Sequence, residues 1–553
     1  MSKHLPLIPT SSKSLGASKI RHAMFLLALM VVTIPASQAQ TYKVLYNAAG
    51  GPGLENMLGA IAQGHDGNLY STSLNGGTFY GTIFKSTPTG VVKVINDIGY
   101  FPASGVTLGT DGQFYGTNQD GGVGNNCGNA AGGQVYKVTA GGKATVLHGF
   151  TNTGDGCDPQ SAPIEGTNGI FYGTTNSTAY SVTSTGVFTT LHTFTGPDGT
   201  DPIAPLVQGA DGNLYGTTYT GGANGNGVIY KMTPAGAVTV LHSFLNAPEG
   251  SAANYALIQA SDGNFYGVAN AGGTFYGTVF KMTPSGTYTV LHTFAAGPSD
   301  GAGPSASLVQ ATDGKLYGVT SGGGTSNVGT IFSITTSGTY SLLYNFATPT
   351  GAGPSSPLLQ HTNGKFYGET INGGNNNFCN SAGCGVIYSF DMGFGGFARL
   401  MTTSGADLSK VEILGEGFSK TASVVKFGGV AATTIVVSGS TYITATVPAG
   451  AQSGFVTVTT GSTTLTSTRK FTVLPSVISF TPTSGPVGTA VTITGNALTG
   501  TTGVTFNGVA VGSFTVVSDT EVTTDVPSGA KTGKVAVTTP TGTAVSKTNF
   551  TVK

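Results

Sequence analysis

From residue 41 onward the apolar positions come in short runs of Val, Ile, Leu, Phe and Tyr, broken by Gly, Asn, Asp and Pro. No apolar stripe of helical period is sustained, which excludes an array of paired helices. Residues 204–244 show the grammar most cleanly. APLVQG predicts a first strand, ADGN a tight turn, and LYGTTY a second strand closed by Gly221 and Gly222. GVIYKMT predicts a third strand, PAGA another turn, and VTVLHSF a fourth. Asp-Gly supplies the positive φ angles that a two-residue hairpin needs. Four strands in a unit of about 40–50 residues is the period of a β-propeller blade.

The unit recurs. A tyrosine in a DGxxYG-like core marks each copy: Tyr70, Tyr115, Tyr172, Tyr215, Tyr266, Tyr317 and Tyr367. The third strand returns as GTIFKST, GQVYKVT, GTVFKMT and GVIYSFD, and the fourth as ATVLHGF, FTTLHTF, YTVLHTF and YSLLYNF. YKVLYNA, at 42–48, matches a fourth strand with no preceding three, whereas the seventh unit has three strands and no fourth. Residues 42–47 are therefore expected to supply the outer strand of the last unit and remove an open sheet edge. The expectation is an all-β chain: a seven-bladed β-propeller over 41–392, closed by its N-terminal strand.

After residue 397 the pattern changes. SGADLSKVEILGEGF at 404–418 aligns with SGPVGTAVTITGNAL at 484–498, and ITATVPAGAQSGFVTV at 443–458 with VTTDVPSGAKTGKVAV at 522–537. Short alternating strands with Gly and Pro turns predict two tandem β-sandwiches, at 397–474 and 475–553. The short connection TVLPSV at 472–477 predicts a semi-rigid stalk.

These units resemble known families. DGNLYGTTYTGG, GVIYKMTPAG and VTVLHSF resemble the repeat of bacterial choice-of-anchor tandem repeat GloVer-containing proteins. That resemblance implies an exported protein of unassigned activity. The tail, above all PSVISFTPTSGPVGTAVTITG, resembles IPT/TIG immunoglobulin-like domains, which implies spacer or contact modules on an extracellular protein.

Composition narrows the function. Charged residues are 8% of the chain, with 23 basic against 23 acidic. No basic patch is available to neutralise phosphates, so nucleic acid is not expected as a partner. Lys13, Lys19 and Arg21 precede an apolar run at 23–34, and Ser37 and Ala39 are small residues at a cleavage site. Residues 1–39 therefore predict an export signal, its run of about 12 residues being short of the roughly 20 that span a bilayer. Cys127, Cys157, Cys379 and Cys384 are an even count in an exported chain and predict disulfides. Cys127 is expected to pair with Cys157 and Cys379 with Cys384. The spacing lacks the second knuckle of a zinc site.

The repeat is its own control: residues shared by all copies maintain the blade. His148, His192, His242 and His292 share one position on the fourth strand and are expected at the rim, too far apart to share an ion. Asp66, Asp111, Asp211, Asp262 and Asp313 precede the turn glycine and are expected to cap it. Gln63, Gln208, Gln259, Gln310 and Gln360 recur on the first strand and are expected to hydrogen-bond one another through their amides. Leu108 and Glu165 break that series, and Glu369 breaks the YGT pattern. Glu165 and Glu369 lie on units three and seven, too far apart for the paired carboxylates of glycoside hydrolysis.

Insertions fall in the second-to-third loops and the connections between units, which open on one face of such a blade. Asn125, Asn126, Asp155, Asp158, Asp198, Asp201 and Asn376 are the ligand-binding candidates there. The reading is a bacterial secreted or cell-surface binding or structural protein, monomeric, with neither metal nor cofactor. It has no membrane span once the signal is cleaved, and its ligand is an extracellular glycan or protein. The alternative is a polysaccharide lyase or hydrolase using the same face. Against it stand the absence of Trp for sugar stacking and of Arg between residues 41 and 391.

Overall fold

The computed structural model describes residues 40–553 apart from 50–53, 78–80, 99–100, 103, 122–131, 246, 252, 273–275, 376–378 and 380–382. The expected export signal lies outside the described residues. The described chain is all-β, with one short 3-10 turn at Thr348–Thr350. No helix among the described residues is long and apolar enough to cross a membrane.

Residues 41–391 form seven antiparallel sheets of four or five strands, one sheet per sequence unit. Sheet four is representative: Val207–Gln208, Leu214–Thr217, Val228–Met232 and Val238–Ser243, hydrogen-bonded in chain order. Its two middle strands are almost wholly buried and its last strand is half exposed. That gradient is what radial packing of sheets around an axis produces. Apolar residues of the middle strands interlock with the next sheet: Tyr215 packs tilted on Phe265 at 4.0 Å, and Tyr70 stacks on Phe114 at 4.0 Å and Tyr115 on Phe171 at 3.6 Å.

Thr41–Asn47 pairs antiparallel with Val386–Asp391 and completes sheet seven from outside, the pairing its sequence predicts. Tyr42 stacks on Tyr344 of sheet six at 4.2 Å and donates its hydroxyl to Thr350 O at 2.6 Å. Each outer strand carries a bulge one residue before its His or Tyr (Asn96 in sheet one), so Leu45, Leu147 and Leu241 fall out of register. A bulge turns the strand and swings that leucine carbonyl toward the following sheet. Gly236 meets such a carbonyl: its φ is +95°, and a Cβ there would lie 2.2 Å from Leu191 O. Sheet seven in turn packs on sheet one, with Tyr367 buried against Ile61 and Leu69. The result is a closed, propeller-like ring.

The tail forms two pairs of sheets with the same strand order. In the first, Ser404–Gly405 runs parallel to the end of Thr463–Val473; in the second, Ser484–Gly485 runs parallel to the end of Gly542–Val552. Each pair encloses its own apolar core, around Phe427 and Phe471 and around Phe506 and Phe550. Asp407 crosses the junction, accepting from Ser476 Oγ at 3.0 Å and Asn496 Nδ2 at 2.8 Å. The first pair of sheets packs against the ring at Gln360, Thr362 and the turn at His65.

Candidate functional site

Antiparallel connection in chain order puts the first-to-second and third-to-fourth turns at one end of the ring, the turn end. The second-to-third loops and the connections between sheets lie at the other, the loop end. Three sets of polar groups distinguish the two ends.

At the turn end, the Asp of each DGxxYG core caps its hairpin as expected. Asp211 accepts from Asn213 N at 3.1 Å and from the Tyr215 hydroxyl at 2.9 Å. Asn168 and Asn363 do the same for Tyr172 and Tyr367, with the amide donating. These hydrogen bonds hold Asp211 and Asp262 below the usual carboxylate range despite opposing burial.

The glutamines are not bonded to one another, which corrects that expectation. Each amide oxygen instead takes a backbone N–H from the turn of the preceding sheet. Gln208 accepts from Thr167 N, Gln259 from Ala210 N and Gln310 from Ser261 N, each at 2.8 Å. Gln360 accepts from Thr312 N and Gln63 from Thr362 N, and Glu165 accepts from both Thr110 N and its hydroxyl at 2.7 Å. The physical reason is that the turn N–H has no strand partner, and the neighbouring side-chain oxygen supplies an acceptor. Among the described residues seam one–two alone lacks this clamp, because Leu108 stands where the amide should be.

At the loop end, each rim histidine bonds its own carboxylate. His148 pairs with Asp155 at 3.1 Å, His192 with Asp198 at 2.6 Å, His242 with Glu249 at 2.9 Å and His292 with Asp300 at 3.2 Å. Three of these rings stack on the next sheet: His148 on Phe188, His242 on Tyr288 and His292 on Tyr340. The carboxylates also cap their loops; Asp155 accepts from Thr151 N and Asp198 from Thr195 N. Burial raises Asp155, Asp198 and Asp300, but these hydrogen bonds outweigh it and hold all three below their ordinary value. Among the described residues no three His, Cys, Asp or Glu side chains converge as a metal site.

Of the other loop candidates, Asp158 and Asp201 both adopt positive φ. Asp158 accepts from Gln160 at 3.0 Å, and burial pushes its carboxyl up. Asp201 accepts from Thr220 at 3.1 Å. Asn125, Asn126 and Asn376 lie outside the described residues. Cys379 and Cys384 form a disulfide. Cys157 is also disulfide-bonded, and Cys127, its expected partner, lies outside the described residues.

The two pattern-breaking carboxylates are not brought together. Glu165 is occupied by Thr110. Glu369 is 1% exposed in the seam between sheets seven and one. Ser71 Oγ donates to its Oε2 at 3.3 Å, and its Oε1 has no partner. Burial raises it well above its usual value, so it is a neutral acid at and above the ordinary glutamate range.

Two features escaped sequence reasoning. Tyr219 and Tyr276, in the second-to-third loops of sheets four and five, are 42% and 43% exposed at the loop end. Their exposure depends on where neighbouring loops run, which no single unit encodes. The other is the tail contact at His65, between residues 376 positions apart.

The Gloeobacter/Verrucomicrobia repeat family matches residues 125–312, 176–382 and 275–517, together well over half of the chain. The chain belongs to that family. No curated protein matches this Gloeobacter/Verrucomicrobia repeat protein. Similar solved structures include a streptogramin B lyase, at 16% identity over 64% of this chain and 99% of that one, with TM-score 0.45. A fungal alcohol oxidase of the AA5 family with copper is 12% identical over 93% and 100%, TM-score 0.44. The extracellular domain of a hybrid two component system from B. thetaiotaomicron is 12% identical over 92% and 57%, TM-score 0.40. At such identities and scores these likenesses assign no activity to this repeat protein.

Proposed function

We propose that this chain is an exported, non-catalytic binding protein of the bacterial cell surface or surroundings. In this reading residues 1–39 are cleaved, 41–392 form a seven-bladed β-propeller, and 397–474 and 475–553 are IPT/TIG immunoglobulin-like modules that position it. The loop end of the propeller presents the ligand surface, and the ligand is a neutral glycan.

The observation that carries this reading is the segregation of charge. Every lysine of residues 41–391 sits toward the turn end, where Lys85, Lys281, Lys315 and Lys365 face Asp66, Asp262, Asp313 and Asp391. The loop end holds carboxylates and no lysine or arginine, and its rim carboxylates are engaged by histidines. Such a surface repels uronates, phosphates and other anions. What it offers instead is Asn, Thr and Gly hydrogen-bonding groups with the exposed rings of Tyr219 and Tyr276. Aromatic faces flanked by neutral polar groups suit the apolar faces and hydroxyls of uncharged sugars. The first tail module packs at the turn end, the end opposite these loops.

The test is a glycan array with neutral and uronate-bearing polysaccharides, run beside a degradation screen. The expected result is retention of a neutral glycan that weakens when Tyr219 and Tyr276 are both replaced by Ala, with no oligosaccharide released. Released oligosaccharide would establish the lyase or hydrolase alternative. Retention of uronates alone, or of no glycan, would overturn the ligand class.

A further inference from the structure

We infer that the first tail module is the missing clamp of the ring: it closes seam one–two in place of the amide absent at Leu108. The repeat itself defines what is missing. In six seams the residue preceding the turn Asp or Asn gives its backbone N–H to a Gln or Glu of the following sheet. In three of the Gln clamps the side-chain nitrogen then donates to the turn of its own sheet, as Gln208 does to Gly212 O and Gln259 to Gly263 O. One side chain thereby ties two neighbouring sheets. In seam one–two the corresponding donor is His65 N and the corresponding acceptor position is Leu108, which has nothing to accept with.

The tail occupies that place. The His65 ring lies over the turn of sheet two, so close that a Cβ on Gly112 would be 3.1 Å from its Cε1. Tyr442 stacks on the outer face of the same ring at 3.8 Å and 13°. Thr441 Oγ1 donates to His65 O at 2.6 Å, and its methyl lies against Gly67, whose φ of +73° holds the turn. The module is pinned a second time on sheet seven. Thr362 Oγ1 donates to Glu416 at 3.0 Å, Phe397 N donates to Thr362 O at 3.0 Å, and Arg399 donates to Gln360 O. His361 beneath them is buried and neutral, its pKa lowered to about 4 by burial; its Nε2–H donates to Gly67 O at 2.9 Å. The module thus backs the His65 ring that covers the unclamped seam and ties sheet one to sheet seven; among the described residues its hydrogen bonds to the ring fall on His65, Gln360 and Thr362. Ring and module are one cooperative body, not a head on a free stalk.

The test uses the full chain and hydrogen exchange resolved by seam. Tyr442→Ala should speed exchange at the turns of sheets one and two, residues 64–68 and 109–113, by at least tenfold. The clamped turn amides of Ala210, Ser261 and Thr312 should be unchanged. Leu108→Gln, which restores the repeat's own clamp, should return protection to residues 64–68 in the Tyr442→Ala background. Tyr442→Phe, which keeps the stacked ring, should behave as the parent. Equal acceleration in every seam, acceleration confined to strand Gly454–Thr460 of the module, or no rescue by Leu108→Gln would each overturn the inference. If Tyr442→Ala does not fold, the comparison passes to Leu108→Gln alone. It should then slow exchange at residues 64–68 and nowhere else in the ring, and no slowing would count against the clamp.

Discussion

Glu369→Gln isolates the least comfortable group in the ring. The acid is sealed between sheets seven and one with Oε1 unpaired, where other second strands carry Thr or Val. Thr117 and Thr174 at the same position each donate to a carbonyl of the next sheet, at 3.2 and 3.1 Å. An unpaired buried acceptor costs about 1–3 kcal/mol. Ionisation adds to that cost. The folded-state value is raised, so the folded protein holds a proton that the unfolded chain releases. The stability tied to that proton is complete below the ordinary glutamate value and is lost as pH rises toward the folded value. The slope is about 1.4 kcal/mol per pH unit for one proton. Gln is nearly isosteric, cannot ionise, and keeps an acceptor for Ser71. The variant should therefore match the parent below the ordinary glutamate value and gain on it as pH rises above that value. The assay is urea unfolding followed by circular dichroism and tyrosine fluorescence, the chain having no Trp. A variant that is less stable than the parent at pH 7, or a difference that does not change with pH, would refute the reasoning.

Gln259→Leu copies the Leu108 situation into a seam that no tail module covers. Loss of hydrogen bonds to Ala210 N and Gly263 O should cost about 1–3 kcal/mol, read as a lower urea midpoint. Asp198→Asn removes a charged acceptor shared by His192 and Thr195 N and should cost about 1–2 kcal/mol at pH 7. Because Asp198 is held below its ordinary value, its contribution is present above about pH 4 and fades as pH falls further, so parent and variant melting temperatures should converge in acid. Tyr42→Ala removes the ring stacked on Tyr344 and the hydroxyl bond to Thr350 O. It should cost about 3–5 kcal/mol, loosen the Thr41–Asn47 strand, and produce oligomers in size-exclusion chromatography as the edge of sheet seven opens. Peptide mapping without reduction should recover Cys157 linked to Cys127 and Cys379 linked to Cys384.

Sequence alone determined the repeat and almost everything that follows from it. The DGxxYG cores place the hairpins because Asp and Gly meet local backbone demands that tertiary structure cannot relax. The orphan YKVLYNA at 42–48 was legible as the outer strand of sheet seven because an edge must be covered by something of matching pattern. Comparison among copies also assigned His148, His192, His242 and His292 to the rim, although not their carboxylate partners, which lie six to eight residues on in loops of unequal length. Only the tertiary structure decided what the glutamines hold. A side-chain amide can bond another amide or a backbone N–H equally well, and the choice depends on the angle between neighbouring sheets. It also decided that Glu369 is sealed and neutral, since burial is a property of the seam and not of the residue. The unclamped seam at Leu108 was visible as a broken pattern, but its cover comes from Thr441 and Tyr442 in a different module. No periodicity connects those positions; complementary surfaces do, and they exist only once the ring has closed.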